Sequence, residues 1–437
     1  MGVQLSGSVL HRPYAIIVSN TYTPKGVNMK RQRIVIVGGG YAGVKALQIL
    51  ASSNQCDIVL IDQHPYHYLQ TEAYELIANE CSMTRVTIDL VALCLSYGEH
   101  VTFIKDTIRQ IDFENKCAGG QSSCHPYDYL LLCSGSRTAF HASVPGLREY
   151  SHGVKTLPSA LAFKHQFEQR LYDRMESEGG WCSEPFNVVI GGGGLSGVEI
   201  AAEMANYIRV FHLDNTLTCD NIHIFLIIPH ENVLEGMEPY LIQKATERLT
   251  RLGVKIIRHS RITSVEEHTL ILNNEENICF DFMIFTGGII ASTLTTTIES
   301  EKNKKSQLII DEYLRVPLYE GVFAAGDIAE MRSTDGKILP PTAQIAEQSG
   351  TGAGKNILAL IEGREMDRVS MKIEGMMVAL GGKYAAISLF GRIRFSGFAG
   401  YLIKTVIMRG YRYLLHRQCT KGMDGLSKTK AQCHTGF

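Results

Sequence analysis

A chain of 437 residues with 45% hydrophobic residues is long enough for two or three domains with buried cores, which excludes a wholly disordered protein. Its 43 Lys and Arg balance 44 Asp and Glu, so the net charge of -1 gives no reason to expect nucleic acid as a partner. The 11 cysteines are scattered without a Cys-x-x-Cys pair, which predicts free thiols and neither a disulfide framework nor a zinc site.

The N-terminal segment, residues 1–30, carries three basic residues and no acid, a pattern that fits a weak targeting peptide. Residues 1–6 also fit the N-myristoylation pattern, which has meaning only in a eukaryotic cell. We favour translation from Met29, with the preceding residues forming an ill-ordered extension.

The first predicted element is a strand that ends in a glycine-rich turn and continues into a helix. The apolar residues 34–37 form the strand, and Gly38, Gly40 and Gly43 form the Gly-x-Gly-x-x-Gly turn. The first glycine permits the tight turn, the second lets the backbone approach a pyrophosphate, and the third lets helix and strand pack closely. We therefore expect a pyrophosphate at the N-terminus of the helix.

A second predicted strand, residues 57–62, ends in a carboxylate. Asp62 lies nineteen residues after Gly43, where this fold needs an acceptor for ribose hydroxyls. Strand, turn, helix, strand and acid in this order predict a dinucleotide site. Residues 66–70 are polar and aromatic, and their composition fits a surface loop as well as a segment that lines the cofactor.

Further strands are predicted within residues 101–113 and 126–136. The last of these ends in Ser134 and Gly135 followed by another serine, which places backbone amides close to a ligand. The Val-Pro-Gly sequence at 144–146 marks a domain boundary.

A second strand, turn and helix unit follows this boundary and repeats the first. Gly192, Gly194 and Gly197 take the three glycine positions, which predicts a second nucleotide site. Glu199, on the first helical turn, is expected to face the cleft between the domains, although an acid there also fits a simple interaction with the helix dipole. The next strand ends at Ile228 without an acid, so the sequence does not decide between NADH and NADPH.

Short strands at 253–257, 263–265 and 269–272 complete this inserted domain, and residues 282–288 return the chain to the first domain. Later, a buried strand ends in Gly326 and Asp327. The carboxylate there can accept hydrogen bonds from a polyol chain, and a helix that starts near residue 342 directs its N-terminal amides to the same ligand.

With these units assembled, the chain resembles the flavoprotein oxidoreductases in which an FAD domain is split by an inserted NAD(P)H domain. The predicted fold class is α/β, with two Rossmann-like dinucleotide-binding domains and a C-terminal amphipathic membrane-association region. We place the FAD domain at 31–148 and 286–364, the NAD(P)H domain at 149–285, and the C-terminal region at 365–437.

The resemblance implies FAD as cofactor, NAD(P)H as substrate, and a set of binding residues for each. The FAD-binding residues that it implies are Gly38, Gly40, Tyr41, Ala42, Gly43, Asp62, Gln70, Ser134, Gly135, Gly326, Asp327, Ala343 and Gln344. Those that it implies for the nicotinamide nucleotide are Gly192, Gly194, Gly197 and Glu199. Disulfide reductases of this superfamily carry a redox cysteine pair where residues 70–77 of this chain contain no thiol, so we expect a diffusing electron acceptor.

More narrowly, the sequence is similar to the type II NADH:quinone oxidoreductases. A Tyr-His-x-x-Gln segment of that family begins at Tyr66, a Gly-Val-Glu segment at Gly197 and an Ala-Gln-x-x-x-Gln acceptor motif at Ala343. The tail motif of that family is also present, although Gly382 replaces the usual Arg before Lys383.

This narrower resemblance implies an FAD enzyme that passes two electrons from NAD(P)H to a membrane quinone without proton pumping. Glu199 is then expected at the nicotinamide end, and Gln344, Gln348 and Lys383 at the quinone end. The two glutamines lie four residues apart on one helix face, from which their amides can donate to a quinone carbonyl. The expected location is the inner face of the cytoplasmic membrane, or the inner mitochondrial membrane in a eukaryote.

The C-terminal region favours a peripheral membrane location. Between Gly391 and Arg417, six Lys or Arg and no acid are interleaved with apolar residues, which predicts a basic amphipathic helix whose cations meet anionic headgroups. Lys404, Arg409 and Arg412 interrupt the apolar run, so no spanning helix is predicted. A helix in a homodimer interface is the structural alternative.

Three other functions stay open. A sulfide:quinone oxidoreductase needs a reactive cysteine pair, and only Cys133 lies near a predicted flavin-contacting strand. A ferredoxin or rubredoxin reductase is the second, and a redox-signalling flavoprotein with little turnover is the third. The missing acid at Ile228 keeps the signalling function open.

Overall fold

The computed structural model describes residues 31–121, 123–177, 185–214 and 221–434. Residues from Gln32 onward form one compact unit. The predictions about residues 1–30, including myristoylation and a start at Met29, lie outside the described residues.

The described strands and helices alternate in the manner of an α/β protein. In chain order the strands are β1 (Gln32–Val37), β2 (Cys56–Asp62), β3 (Tyr66–Tyr68), β4 (Thr87–Asp89), β5 (Val101–Lys105), β6 (Gln110–Asp112), β7 (Cys117–Gly119), β8 (Cys124–Pro126), β9 (Tyr129–Leu132), β10 (Ser136–Thr138), β11 (Phe186–Gly191), β12 (Ile222–Ile227), β13 (Lys255–Ile257), β14 (Ile262–Val265), β15 (Thr269–Leu272), β16 (Asn277–Cys279), β17 (Phe282–Phe285), β18 (Ile289–Ala291), β19 (Val322–Ala324), β20 (Gly375–Ala379), β21 (Ala385–Leu389) and β22 (Ile393–Gly397). The helices are α1 (Tyr41–Leu50), α2 (Ala73–Ile77), α3 (Leu90–Leu95), α4 (Leu157–Ser177), α5 (Leu195–Asp214), α6 (Pro239–Arg251), α7 (Ala343–Ile361) and α8 (Phe398–His434).

The first sheet is parallel, with strand order β19-β9-β1-β2-β5. Its strands are continuous apolar runs because both faces are covered, and Ile34, Ile36 and Phe323 are fully buried. On one face α1 packs against α7, where a Cβ atom on Gly350 would collide with the backbone of Ala42. The contact of these two helices sets the end of β19 beside the start of α1.

The second sheet, order β13-β12-β11-β17, is also parallel and carries the inserted nucleotide-binding unit. Phe163 and Phe167 of α4 pack with Phe282 at ring-centroid distances of 5.8 Å each and bury one face of this sheet. Residues 282–285 therefore still belong to the inserted unit. The chain returns to the first unit at β18, which pairs with β10.

The structure decides between the two interpretations of residues 66–70. They are not a surface loop, because β3 pairs with β4, and His67 and Tyr68 are buried. Cys117 and Cys124 lie side by side on β7 and β8, with Cα atoms 5.9 Å apart, a separation that a disulfide can span.

The C-terminal region is a three-stranded antiparallel sheet, β20-β21-β22, followed by α8. The predicted basic helix is therefore wrong for its first part, since residues 393–397 form β22 and α8 begins at Phe398. α8 packs on α3, where the Cys419 thiol donates to the carbonyl of Asp89 at 3.4 Å. Among the helices of the described ranges, none is long and apolar enough to cross a membrane.

Candidate cofactor and substrate site

The first glycine turn, between β1 and α1, has the geometry of a phosphate cradle. Gly38 has a φ of +110°, and a Cβ atom added there would collide with the backbone carbonyl of Cys133. A Cβ atom on Gly43 would collide with the carbonyl of Gly38, so helix and turn meet through backbone atoms alone. Gly40, the N-cap of α1, has no described atom within 4 Å of its Cβ position, which leaves room for a phosphate at the helix N-terminus.

Asp62 ends β2 beside this turn. Its carboxylate accepts hydrogen bonds from the backbone N–H of Gly39 at 2.7 Å and of His64 at 2.8 Å. Burial raises the pKa of Asp62, although the two N–H donors oppose the shift. The carboxylate oxygens keep further acceptor positions for the hydroxyls of a ribose.

Asp327 follows β19, which lies on the other side of β1 from β2. Ser136 donates its hydroxyl to Asp327 Oδ2 at 2.6 Å, and Lys155 Nζ lies 3.2 Å from the same oxygen. The sequence did not reveal Lys155, because it lies before α4 outside any glycine turn. The acid is thus held between a hydroxyl and an ammonium at the edge of the sheet.

Other predicted flavin-site residues lie at the same edge. Gly326 has a φ of +74°, and a Cβ atom there would lie 3.1 Å from that of Ala42, so its turn touches the first turn of α1. Ser134 Oγ lies 2.6 Å from Ser292 Oγ, and Gly135 has a φ of +66°. Because the carboxyl ends of parallel strands meet here, the open cradle and the two acids fit an FAD-sized dinucleotide.

Tyr41 joins the glycine turn to the segment that follows β2. Its hydroxyl lies 2.8 Å from Thr71 Oγ1, and its ring meets His67 edge-on with centroids 4.7 Å apart. His67 Nε2 lies 3.2 Å from the hydroxyl of Tyr411 in α8. Burial lowers the pKa of His67 to about 3, so its imidazole is neutral at physiological pH. Gln70 is exposed, and its role toward a cofactor stays a prediction.

The second glycine turn, between β11 and α5, repeats the geometry of the first. Gly192 has a φ of +120°, and a Cβ atom there would lie 2.8 Å from the backbone of Thr286. A Cβ atom on Gly197 would collide with the carbonyl of Gly192, whereas Gly194 faces open space. Ile228 is 1% exposed and packs against this turn. The turn therefore fits a second dinucleotide, and Ile228 offers its ribose no polar side chain.

Glu199 is the fifth residue of α5, beyond the first turn on which it was predicted, and it faces β20. Its Oε1 accepts the backbone N–H of Ala379 at 3.1 Å. Burial raises the pKa of Glu199 to about 8, although that N–H and the nearby Lys404 oppose the shift. A carboxyl group with this pKa can hold and release a proton near neutral pH.

α8 places one buried and one half-buried cation beside α2. Lys404 Nζ donates to Glu75 Oε1 at 2.7 Å, and Arg412 Nη1 donates to Glu72 Oε2 at 2.6 Å. Arg85 binds the same two acids and approaches Glu75 Oε2 at 2.6 Å. The prediction that the cations of this helix meet lipid headgroups is therefore wrong for Lys404 and Arg412, because acids of the protein pair with them.

Gln344 and Gln348 lie in α7, which begins at Ala343 next to the Asp327 turn, and both amides contact the backbone before β20. Gln344 Oε1 accepts the N–H of Glu374 at 2.6 Å. Gln348 donates to the carbonyl of Lys372 at 2.9 Å and accepts its N–H at 3.0 Å. Gln348 thus uses both of its polar groups on one backbone residue, while the amide NH₂ of Gln344 is the group that can meet a ligand.

Lys383 is exposed, and Lys404 is the ammonium beside Glu199. Gly382, which precedes Lys383, lies where the backbone favours glycine. Gly382 has a φ of +61°, and a Cβ atom there would lie 2.9 Å from Asn206 Nδ2. Its N–H donates to Glu203 Oε2 at 2.9 Å. A side chain at this position would require the Asn206 amide to move.

Comparison with known proteins agrees with this geometry. Residues 32–350 match the family model described as pyridine nucleotide-disulphide oxidoreductase. Demethylphylloquinone reductase NdbB from Synechocystis sp. is 28% identical over 414 residues, which are 91% of this chain and 96% of that protein. The type II NADH:quinone oxidoreductase of Haemophilus influenzae is 25% identical, with 80% of this chain and 85% of that protein covered.

A solved structure of NDH2 from Plasmodium falciparum has the same fold. It superposes with a TM-score of 0.79 over 92% of this chain and 98% of that one, at 17% sequence identity. The predicted fold class is confirmed.

Proposed function

The chain belongs to the pyridine nucleotide-disulphide oxidoreductase family, and on that basis we propose that it is a type II, FAD-dependent NAD(P)H:quinone oxidoreductase. It takes a hydride from the nucleotide and passes two electrons to a quinone, without pumping protons. The observation that carries this proposal is a pair of intact glycine turns in a chain whose segment 70–77 holds buried glutamates and no cysteine. The names of relatives that span most of the chain support a quinone as the acceptor.

Bound FAD supplies the two-electron chemistry when it is present. The open backbone at Gly40 binds its pyrophosphate, and Asp62 accepts from the hydroxyls of its ribose. Asp327 accepts from its ribityl chain, with Lys155 supplying a positive charge at that acid. These roles rest on the cradle and on the acceptor capacity of the two carboxylates.

The second glycine turn binds the pyrophosphate of the nicotinamide nucleotide at Gly194. Ile228 gives no carboxylate to select NADH, and the relatives named for NADH make that nucleotide the first donor to test. Glu199 lies at the nicotinamide end. Its raised pKa lets it hold a proton near neutral pH and release that proton during quinone reduction. Gln344 donates its amide NH₂ to a quinone carbonyl, and Lys383 stays a candidate from the resemblance alone.

The quinone comes from a bilayer on which α8 lies. Its outer face exposes large apolar side chains at helical spacing, which suits burial in the headgroup region. These residues are Phe398, Leu402, Val406, Ile407, Tyr413 and Leu414. Arg409 and Arg417 are exposed beside them and can meet anionic headgroups. The same apolar face would also suit a homodimer interface. Flotation of the protein with anionic vesicles distinguishes membrane binding from dimer formation.

An anaerobic titration tests the function. We expect NADH to bleach the bound flavin of the purified protein and a soluble quinone to restore its colour. NADPH, added in a parallel titration, ranks the two donors. A flavin that NADH bleaches but that quinone does not reoxidise refutes the proposal.

A further inference from the structure

The turn between β21 and β22 holds an exposed aromatic side chain on a backbone that does not suit it. Phe390 is 66% exposed and has a φ of +52°, and Gly391 follows with a φ of +66°. This left-handed conformation suits glycine or asparagine, whereas a bulky side chain there raises the energy of the folded state. The fold itself therefore gives no reason for a phenylalanine at this tip.

The strand that leaves this turn carries more exposed apolar residues. β22 is the outer strand of its sheet and pairs with β21 alone. Ile393 and Phe395 lie two positions apart on β22, so they share one side of the strand, and both are exposed. Arg394 lies on the other side, where its guanidinium donates to Glu238 at the start of α6. The apolar side of β22 thus faces away from α6.

α8 continues these apolar residues directly from β22. It begins at the residue after the strand ends and packs back against β21 and β22. A Cβ atom on Gly400 would collide with the carbonyl of Ala385, so helix and sheet meet closely there. Phe398 and Leu402, on the first two turns of α8, are exposed. Exposed apolar residues therefore run from the turn at Phe390 through β22 into the outer face of α8.

The charge of this region indicates the partner. Residues 391–417 contain six Lys or Arg and no acid. Three of the six bind acids of the protein, and these are Arg394, Lys404 and Arg412. The other three are exposed, and these are Arg392, Arg409 and Arg417. Apolar side chains flanked by exposed arginines fit a bilayer with anionic headgroups.

A second copy of the chain fits this surface less well. In a two-fold dimer through this face, each copy would bring its own three arginines to the contact, and like charges repel. The acid nearest to the turn is Glu374, whose carbonyl accepts the N–H of Phe390. Its carboxylate lies 3.9 Å from the ammonium of Lys372, so a lysine already accompanies it.

We propose that the turn at Phe390 is a second point of membrane contact, where Phe390 inserts among the acyl chains of an anionic bilayer and Arg392 binds lipid phosphate. The inference rests on the proposed function, because a lipid-soluble acceptor requires the protein to sit on a membrane. A single helix lying on a bilayer can roll about its axis. The turn and α8 together fix the orientation of the protein.

One substitution tests the proposal through two measurements with opposite expectations. Phe390→Asn suits the left-handed backbone, so the urea midpoint of unfolding should stay unchanged or rise. The same variant should bind vesicles of equal parts phosphatidylglycerol and phosphatidylcholine about tenfold more weakly, because it removes an inserted ring. The control is Leu318→Asn, at a side chain that is 68% exposed before β19, and it should leave vesicle binding unchanged. Equal vesicle affinities of Phe390→Asn and wild type overturn the proposal, and a lowered midpoint overturns its premise.

Fluorescence quenching tests the insertion itself. The chain has a single Trp, so the signal of a Phe390→Trp variant is its difference from wild type. Lipids with brominated acyl chains should quench this difference signal, whereas that of Leu318→Trp should persist. An unquenched Phe390→Trp overturns the proposal. Dissociation of a lipid-free dimer by Phe390→Asn also overturns it, since the surface would then join two copies.

These measurements use neither NADH nor quinone, so the two possible failures are distinguishable. A protein that inserts Phe390 but does not reduce soluble quinone refutes the proposed function. A protein that reduces soluble quinone without inserting Phe390 overturns the membrane contact of the turn alone.

Discussion

The ammonium of Lys404 lies 2.7 Å from a carboxylate oxygen of Glu75, although 329 positions separate the two residues in the chain. Both side chains are less than a tenth exposed. This ion pair joins the last helix to the segment that follows the first glycine turn.

Replacing Lys404 by Met should therefore destabilise the protein by about 3 kcal/mol, because the change leaves a buried acid short of one cation. Urea unfolding measures the loss. The control is Lys337→Met, which breaks an ion pair whose side chains are 81% and 55% exposed and should cause no measurable loss. Equal effects of the two variants would contradict a structural role for the buried pair.

Gln344→Ala and Gln348→Ala should differ, although the two residues are one turn apart. Gln344→Ala should slow quinone reduction about tenfold or more while sparing flavin reduction, because it removes a proposed donor to the quinone. Gln348→Ala should instead cost about 1–2 kcal/mol of stability, since it breaks two hydrogen bonds to Lys372. Stopped-flow kinetics and urea unfolding of both variants check the pair. If Gln344→Ala also slows flavin reduction, Gln344 supports the flavin and is not specific to the quinone.

Gly382→Ala should lower the free energy of unfolding more than Gly391→Ala does, although the two glycines have similar φ angles of +61° and +66°. The left-handed backbone costs either alanine about 1 kcal/mol. Only at Gly382 does the added Cβ atom press on Asn206, which should add about 1–2 kcal/mol. Equal unfolding free energies would mean that Asn206 moves aside at no cost.

Glu199→Gln should change how stability depends on pH. The folded protein keeps the Glu199 proton up to about pH 8, whereas the unfolded chain releases it near 4.5. Because the folded state binds more protons in that interval, this residue lowers stability as pH rises from 4.5 to 8, by at most about 1.4 kcal/mol per pH unit. The variant should lack this loss, so its stability relative to wild type should rise from pH 5 to pH 8 and then level off. Unfolding at four pH values measures it, with Glu365→Gln as control.

Local sequence was enough to place both glycine turns, the acid that ends β2, the acid that follows β19, and the start of α7. Each of these features depends on neighbours within about twenty residues along the chain. The start of α7 is an example, because Thr342 caps this helix by accepting the N–H of Ile345 at 3.3 Å. The order of strand, turn and helix then determines which strand ends meet.

The partners of α8 could not be predicted in the same way. Lys404 and Arg412 look like surface cations, because the acids that bind them lie more than 300 positions earlier. One local signal was available: Lys404, Leu415 and Cys419 fall on one face at helical spacing and are all buried, which marks the inner side of the helix. Lys155 had no such signal, since its contact with Asp327 depends on the approach of two distant loops.

α8 is one helix thick, so its exposed apolar side chains and its buried Lys404 are separated by about 10 Å. If those side chains lie in a bilayer, as proposed, the ion pair of Lys404 and Glu75 lies little more than one headgroup layer above the hydrocarbon. A quinone ring could then enter the protein beside α8 while its apolar tail stayed among the acyl chains. The length of that tail should therefore affect the partition of the substrate into the membrane more than its fit to the protein.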